Sequence, residues 1–255
     1  VDTAMGTTAA PREALGVAGG FVLDWGYALW RQVASVARGR VMVTTVHPPE
    51  GEPGGSPTRK TKVDVVLIPG IYEPAGFMDP LRRRLQERGH RVVVLPELGY
   101  NRRTIPETAD VAAARLRELG MKDAVVIAHS KGGLVGKLLM TAYAQDGLVA
   151  RMLAVGTPFE GARYSRYAPT RPLRSFYPGH PVLGSLAKNL EVNARIVSVG
   201  ARVDPLVGRS TRLEGGSNIV LPVTGHFRIL ESPEFMAVVD GFLRDELGGS
   251  GEQAG

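Results

Sequence analysis

The sequence predicts an α/β fold: one doubly wound, mostly parallel sheet with helices on both faces, preceded by an N-terminal helical extension. Three observations lead there. Short, nearly uninterrupted apolar runs recur along the chain, and strands that apolar need cover on both faces. Segments of helical periodicity separate those runs, with Gly, Pro and capping residues at the joints. The 255 residues show no internal repeat and are 44% hydrophobic, enough for one sizeable core.

The extension covers residues 1–62. Leu15, Ala18, Val22, Trp25, Leu29, Val33 and Val36 recur at three- and four-residue steps, the mark of an amphipathic helix. Its apolar stripe is expected to pack on the main body, with dimer contact or docking on a membrane surface as the alternatives; Asp24 and Arg31 argue against insertion into a membrane. Gly39 would end the helix, residues 40–46 suit a strand, and the Pro/Gly/Glu-rich stretch 47–61 reads as an exposed loop.

The α/β domain is expected over 63–247. Val63 to Ile68 is a buried strand stopped by Pro69-Gly70. Asp79 as N-cap and Pro80 open a helix carrying Leu81 and Leu85, which Gly89 stops. A strand over Arg91 to Leu95 follows. Pro106 then opens a helix with Val111, Leu116 and Leu119, and Val125 to Ala128 is the third strand. A helix with Leu134, Leu138 and Leu139 comes next. Met152 to Val155, Ile196 to Val199 and Asn218 to Leu221 complete the strands, and Ser232-Pro233 caps a last helix. Residues 248–255 are a Gly-rich tail.

Composition excludes several classes of function. Lys+Arg 31 against Asp+Glu 25 gives a net charge of +6, but no basic run of five occurs. Arg82-Arg83-Arg84 would fan around a helix axis, so no nucleic-acid partner is expected. The basic charge does allow peripheral contact with an anionic membrane surface. Cys 0 removes disulfides, thiolate metal sites and a cysteine nucleophile. No run of about 18 apolar residues exists to span a bilayer. The expected location is cytoplasmic, and a signal removed upstream of Val1 is left open.

Chemistry concentrates where the third strand turns into a helix, at Ala128-His129-Ser130-Lys131-Gly132-Gly133. Small residues at 128 and 132 permit a tight, strained turn that exposes Ser130 at the carboxyl edge of the sheet, by the positive end of a helix. A serine there also suits plain helix capping; as a nucleophile it needs a base, and the base an orienting carboxylate. Asp204 and His226 each follow a strand, in the chain order this architecture expects. His90 lies at the wrong edge, His47 in the loop and His180 in an irregular insertion. His129 should point away from Ser130 and pack. The backbone N–H groups of Lys131 and Ile71 are the expected oxyanion donors. The Lys131 side chain is expected to reach solvent, or else to select anionic substrates or meet a carboxylate.

These motifs carry a resemblance. Val65-Val66-Leu67-Ile68-Pro69-Gly70-Ile71, the 128–133 segment, Arg202 to Val207 and Thr224-Gly225-His226-Phe227 resemble the α/β-hydrolase superfamily in order and spacing. The layout is most similar to its small bacterial lipases and esterases with a minimal cap. Gly156-Thr157-Pro158-Phe159-Glu160-Gly161 looks like a segment of its lipase-like members. The likeness covers about residues 63–247. It implies Ser130 as nucleophile, His226 as base, Asp204 as orienting acid, and no metal or organic cofactor. Two positions depart from the pattern: Pro69 precedes Gly70 where many relatives have His, and Lys131 stands where they carry an apolar or neutral residue.

Residues 159–190 are too few for a full cap, yet Phe159, Tyr164, Tyr167, Phe176 and Tyr177 alternate there with Arg163, Arg166, Arg171 and Arg174. The segment reads either as a short lid or as a surface excursion pinned by its aromatics. Tyr72, Phe159, Phe176 and Tyr177 are the expected substrate contacts. The expected activity is hydrolysis of carboxylic esters through an acyl-enzyme. Thioester hydrolysis or acyl transfer on the same triad is the alternative, and a catalytically idle binding module is another. Oligomeric state is not legible in the sequence.

Overall fold

The computed structural model describes residues 22–34 and 63–244. Leu15, Ala18, Val36, Gly39, the strand expected over 40–46, the loop over 47–61 and the tail over 248–255 lie outside the described residues. Six strands form one sheet: β1 (Asp64–Ile68), β2 (Arg91–Val94), β3 (Ala124–His129), β4 (Val149–Val155), β5 (Ile196–Val203) and β6 (Ser217–Thr224). Their order is β2-β1-β3-β4-β5-β6, and every neighbouring pair is parallel. The apolar runs of β1 to β5 are buried, as parallel strands crossed by helices must be, whereas edge strand β6 buries Leu221 and leaves Val220 exposed.

Period two divides the sheet's side chains between two cores. Val66, Ile68, Val126, Ala128, Met152 and Ala154 meet α3 (Ile105–Glu118), α4 (Lys131–Ala142) and α6 (Pro181–Lys188) on one face, where Leu173 of the short α5 (Arg171–Arg174) also packs. Val65, Leu67, Val125, Ile127, Leu153 and Val155 meet α2 (Asp79–Glu87) and α7 (Pro233–Leu243) on the other. The helix joints follow local chemistry. Thr104 and Glu107 form a capping box on α3, and the Ser232 hydroxyl accepts the Phe235 N–H to start α7. Asp79 differs from expectation: Met78 is the cap, and Asp79 is the first helical residue, its carboxylate bound by Arg82 at 2.8 Å.

The N-terminal helix, α1 (22–34), also departs from expectation. Of its predicted inward stripe, Val22, Trp25, Leu29 and Val33 are exposed, while Asp24, Ala28 and Arg31 are buried. The polar side faces the body because the body offers it partners. Arg31 donates to the carbonyl oxygens of Gly76 (2.7 Å) and Phe77 (2.6 Å), and Asp24 accepts backbone N–H groups beyond β6. Buried charges held by hydrogen bonds escape the penalty that normally turns a charged stripe outward.

The chain runs from β1 outward to β2, then crosses back to lay β3 on the other side of β1. Strand order thus reverses between β1 and β3, which opens a crevice at their carboxyl ends. The loop after β1 and the turn after β3 meet there.

Candidate active site

Ser130 occupies φ 50°, ψ −119°, a left-handed conformation that L-residues avoid. Such strain, of order 1–3 kcal/mol, persists only where the surroundings over-determine it. Here they do. The Ser130 N–H donates to the Val155 carbonyl at 2.8 Å, and its own carbonyl accepts the Thr157 hydroxyl at 2.9 Å. A β-carbon at Gly132 would stand 2.2 Å from the Ile68 carbonyl oxygen, so only glycine lets the turn seat against the end of β1. The serine side chain does not cap α4. It opens instead on a cavity of about 530 Å³ that Asp204 and His226 also line.

Asp204 follows β5 and His226 lies just beyond β6. His226 Nδ1 lies 2.7 Å from Asp204 Oδ2, and both side chains are buried. A carboxylate only accepts, so Nδ1 carries the proton and the lone pair is left on Nε2. Asp204 Oδ1 accepts the N–H groups of Leu206 (2.9 Å) and Val207 (3.0 Å). Burial alone would raise the Asp204 carboxyl, but the hydrogen bond from His226, with those two N–H groups, holds it below the usual carboxylate range. Ser130 Oγ and His226 share the cavity without a hydrogen bond between them. Contacts of this kind tighten in the reacting complex.

Lys131 begins α4, so its N–H has no partner within the helix, and Ile71 lies in the turn after β1. Neither N–H donates to another backbone group in the turns and caps of the described residues. The Lys131 side chain does not reach solvent. It is buried, and Nζ donates to Asn101 Oδ1 (2.7 Å), the Asn101 carbonyl (2.9 Å), the Arg103 carbonyl (2.6 Å) and Thr108 Oγ1 (3.1 Å). Burial pushes its ammonium down to about 7. Asn101 passes the connection on, its Nδ2 donating to the Pro69 carbonyl at 2.8 Å. The side chain thereby braces the loop that presents Ile71.

Of the four expected substrate contacts, Phe176 lines the cavity. Tyr72 bonds Thr170 through its hydroxyl, Phe159 packs on the core, and the Arg166 guanidinium lies over the Tyr177 ring. Ile71, Pro158, Ala162, Ala168, Leu173 and Leu206 supply further apolar wall. The 159–190 segment therefore faces the cavity through Ala162, Arg163, Ser165, Ala168, Leu173 and Phe176, and neither Tyr167 nor Tyr177 is part of the lining. His180 instead caps α6, accepting the Val182 N–H.

Two buried acids of the site were not among the residues expected there. Glu73 accepts the Gly70 N–H at 2.6 Å, and its other oxygen lies 2.7 Å from His129 Nδ1. His129 Nε2 meets the His226 carbonyl at 3.0 Å. A carbonyl only accepts, so Nε2 bears a proton. Burial would lower the His129 imidazole, yet the Glu73 charge and hydrogen bond raise it above its ordinary value. Asp24 holds the same loop from the other side: Oδ2 accepts the His226 N–H (2.7 Å), and Oδ1 those of Phe227 and Arg228 (2.9 Å each). His226 is thus clamped by a carboxylate on its ring, another on its N–H and an imidazole on its carbonyl.

Fold and geometry together define an α/β-hydrolase architecture. Solved structures with that architecture superpose on most of the domain. A lipase from Bacillus licheniformis in mature form gives a TM-score of 0.58 at 16% identity, over 76% of this chain and 96% of its own. An esterase from Thermogutta terrifontis gives 0.52 at 17% identity, over 73% and 91%. A putative non-heme bromoperoxidase from Mycobacterium tuberculosis gives 0.55 at 17% identity, over 72% and 93%. No protein-family model and no curated protein matches the sequence. At such identities the likeness carries the fold, and function has to be argued from the site.

Proposed function

We propose that the chain is a serine hydrolase of carboxylic esters, acting through Ser130, His226 and Asp204. The observation that carries this reading is a strained Ser130 opening on the same apolar cavity as a buried His226–Asp204 pair. Ser130 Oγ attacks the ester carbonyl carbon while its proton passes to His226 Nε2. Asp204 fixes the ring tautomer and stabilises the imidazolium. The Ile71 and Lys131 N–H groups receive the developing oxyanion. Collapse breaks the bond to the alcohol oxygen, which leaves with the proton from His226. Water, deprotonated by His226, then attacks the acyl group, releases the carboxylic acid and restores Ser130. The apolar wall suits an acyl chain.

A fluorophosphonate probe followed by intact-mass measurement tests the assignment. Wild type should gain one adduct and Ser130→Ala none, with turnover of p-nitrophenyl esters lost alongside. Failure to label the folded wild-type chain would favour an idle module. Labelling that persists in Ser130→Ala would move the nucleophile elsewhere.

A further inference from the structure

Helix α1 shows the solvent its apolar side. Val22, Leu23, Trp25, Leu29, Trp30 and Val33 are each between 48% and 71% exposed, and the one other exposed residue of the helix is Gly26. Six neighbouring large apolar side chains at that exposure exceed what a monomer ordinarily leaves bare. Asp24 and Arg31, the charges that argued against insertion, are turned inward and bonded by backbone groups. The outward half of the helix therefore carries no charge.

Its position links this face to the cavity. The Trp25 ring lies 5.8 Å, edge-on, from that of Phe227, which lines the cavity. At the other end of the helix Gln32 Nε2 donates to the Tyr72 carbonyl. The Tyr72 hydroxyl in turn bonds Thr170 at 3.0 Å, within a segment whose Arg163, Arg166, Arg171 and Arg174 are all exposed. No Asp or Glu occurs between residues 161 and 190. One continuous run of contacts thus connects an exposed apolar helix face, the cavity lining and a group of exposed arginines that form no ion pair among the described residues.

We infer that this rim docks the protein on an anionic lipid surface, with α1 lying in the interfacial plane and the arginines meeting headgroup phosphates. Charge complementarity selects this occupant. A second copy would bring a chain of net charge +6 against its like, whereas an anionic bilayer answers both the apolar face and the arginines. Trp25 and Trp30 belong to the residue type that favours headgroup depth. The inference rests on the ester-hydrolase reading only for what the docked rim would take in, a lipid ester from the same surface. Docking itself is measured without turnover.

The test uses the full chain carrying Ser130→Ala, mixed with phosphatidylcholine vesicles or with vesicles containing phosphatidylglycerol as well. Trp25 and Trp30 are the chain's two tryptophans, so intrinsic emission reports this face directly. With anionic vesicles the emission should shift to the blue, brominated acyl chains should quench it, and the protein should co-sediment. The triple variant Leu23→Ser, Leu29→Ser, Val33→Ser should bind at least about tenfold more weakly, and as a Ser130 protein keep its rate on a soluble short-chain ester. Arg166→Gln with Arg171→Gln should erase the preference for anionic over neutral vesicles. No blue shift and no co-sedimentation would overturn the inference, even with fluorophosphonate labelling intact. So would vesicle-independent dimers that the triple variant dissociates, which would assign the face to a second copy. Emission already blue and shielded from acrylamide in the free protein would assign it to residues 1–21 or 35–62.

Discussion

Asp24 accepts three successive N–H groups from the His226 loop, and an asparagine in its place would keep only part of that arrangement. The amide oxygen can still serve Phe227 and Arg228, where Oδ1 now stands, but the amide nitrogen would face the His226 N–H that Oδ2 now accepts. One hydrogen bond to a charged group is lost and two donors are opposed. A bond of that kind is worth about 1.5–3 kcal/mol. If the loss falls on the population of correctly placed imidazole, kcat drops about 10- to 100-fold. Asp24 is absent from the cavity lining, so KM should stay within about twofold. Steady-state kinetics on a soluble p-nitrophenyl ester, the rate of fluorophosphonate labelling and a thermal melt would be measured together. Ala28→Gly supplies the control: on the same buried side of α1, it weakens the helix by about 1 kcal/mol and leaves the carboxylate in place. A kcat for Asp24→Asn within twofold of wild type would refute the reasoning. Equal loss of kcat in Ala28→Gly would also refute it, reducing Asp24 to one more stabilising contact.

Two further outcomes follow from the same geometry. Phe176→Ala should extend the preferred acyl chain and lower the melting temperature, since the ring is buried in the cavity wall, whereas Tyr177→Ala should leave the chain-length profile unchanged; a matched series of p-nitrophenyl esters reads both. Because His129 is raised from 6.5, the stability it draws from Glu73 is fully present below pH 6.5 and is lost as pH rises through the folded value. The gap in unfolding free energy between wild type and Glu73→Gln, from urea titrations at a series of pH values, should therefore narrow toward alkaline pH, and a widening gap would contradict the pairing.

What the sequence made legible is what short-range chemistry encodes. The six strands lie within a few residues of their apolar runs, and in β1 to β5 burial writes a nearly unbroken apolar pattern. Ser130, Asp204 and His226 stood out because each sits in a small local signature at a strand end. The residues that brace them did not, since Asp24 meets His226 across 202 positions and Glu73 meets His129 across 56. No local spacing announces such contacts. Periodicity likewise defines an apolar face on α1 without saying where that face points. A signal was present: Asp24, Ala28 and Arg31 form a narrow stripe, two charges around a small residue, in an otherwise apolar helix. Such a stripe is too lean for a solvated face and well suited to close contact with backbone groups.

Lys131 extends that argument to the other arm of the site. A buried ammonium brought down to about 7 is costly, and a methionine of similar length would remove the desolvation. Methionine, however, would leave two carbonyls, an amide oxygen and a hydroxyl without their shared donor. Three of those atoms belong to the loop whose Asn101 grips the Pro69 carbonyl, two residues before Ile71, and the fourth, the Thr108 hydroxyl, to the first turn of α3 that follows it. Lys131 thus places one expected oxyanion donor with its own N–H and braces the segment bearing the other with its side chain. Asp24, Glu73 and His129 do the corresponding work on the His226 loop. Buried polar groups concentrate at this one edge of the sheet because its loops leave backbone N–H and C=O groups that no strand or helix pairs. Directional hydrogen bonds are what remain to hold them within the fraction of an ångström that the proposed acyl chemistry would require.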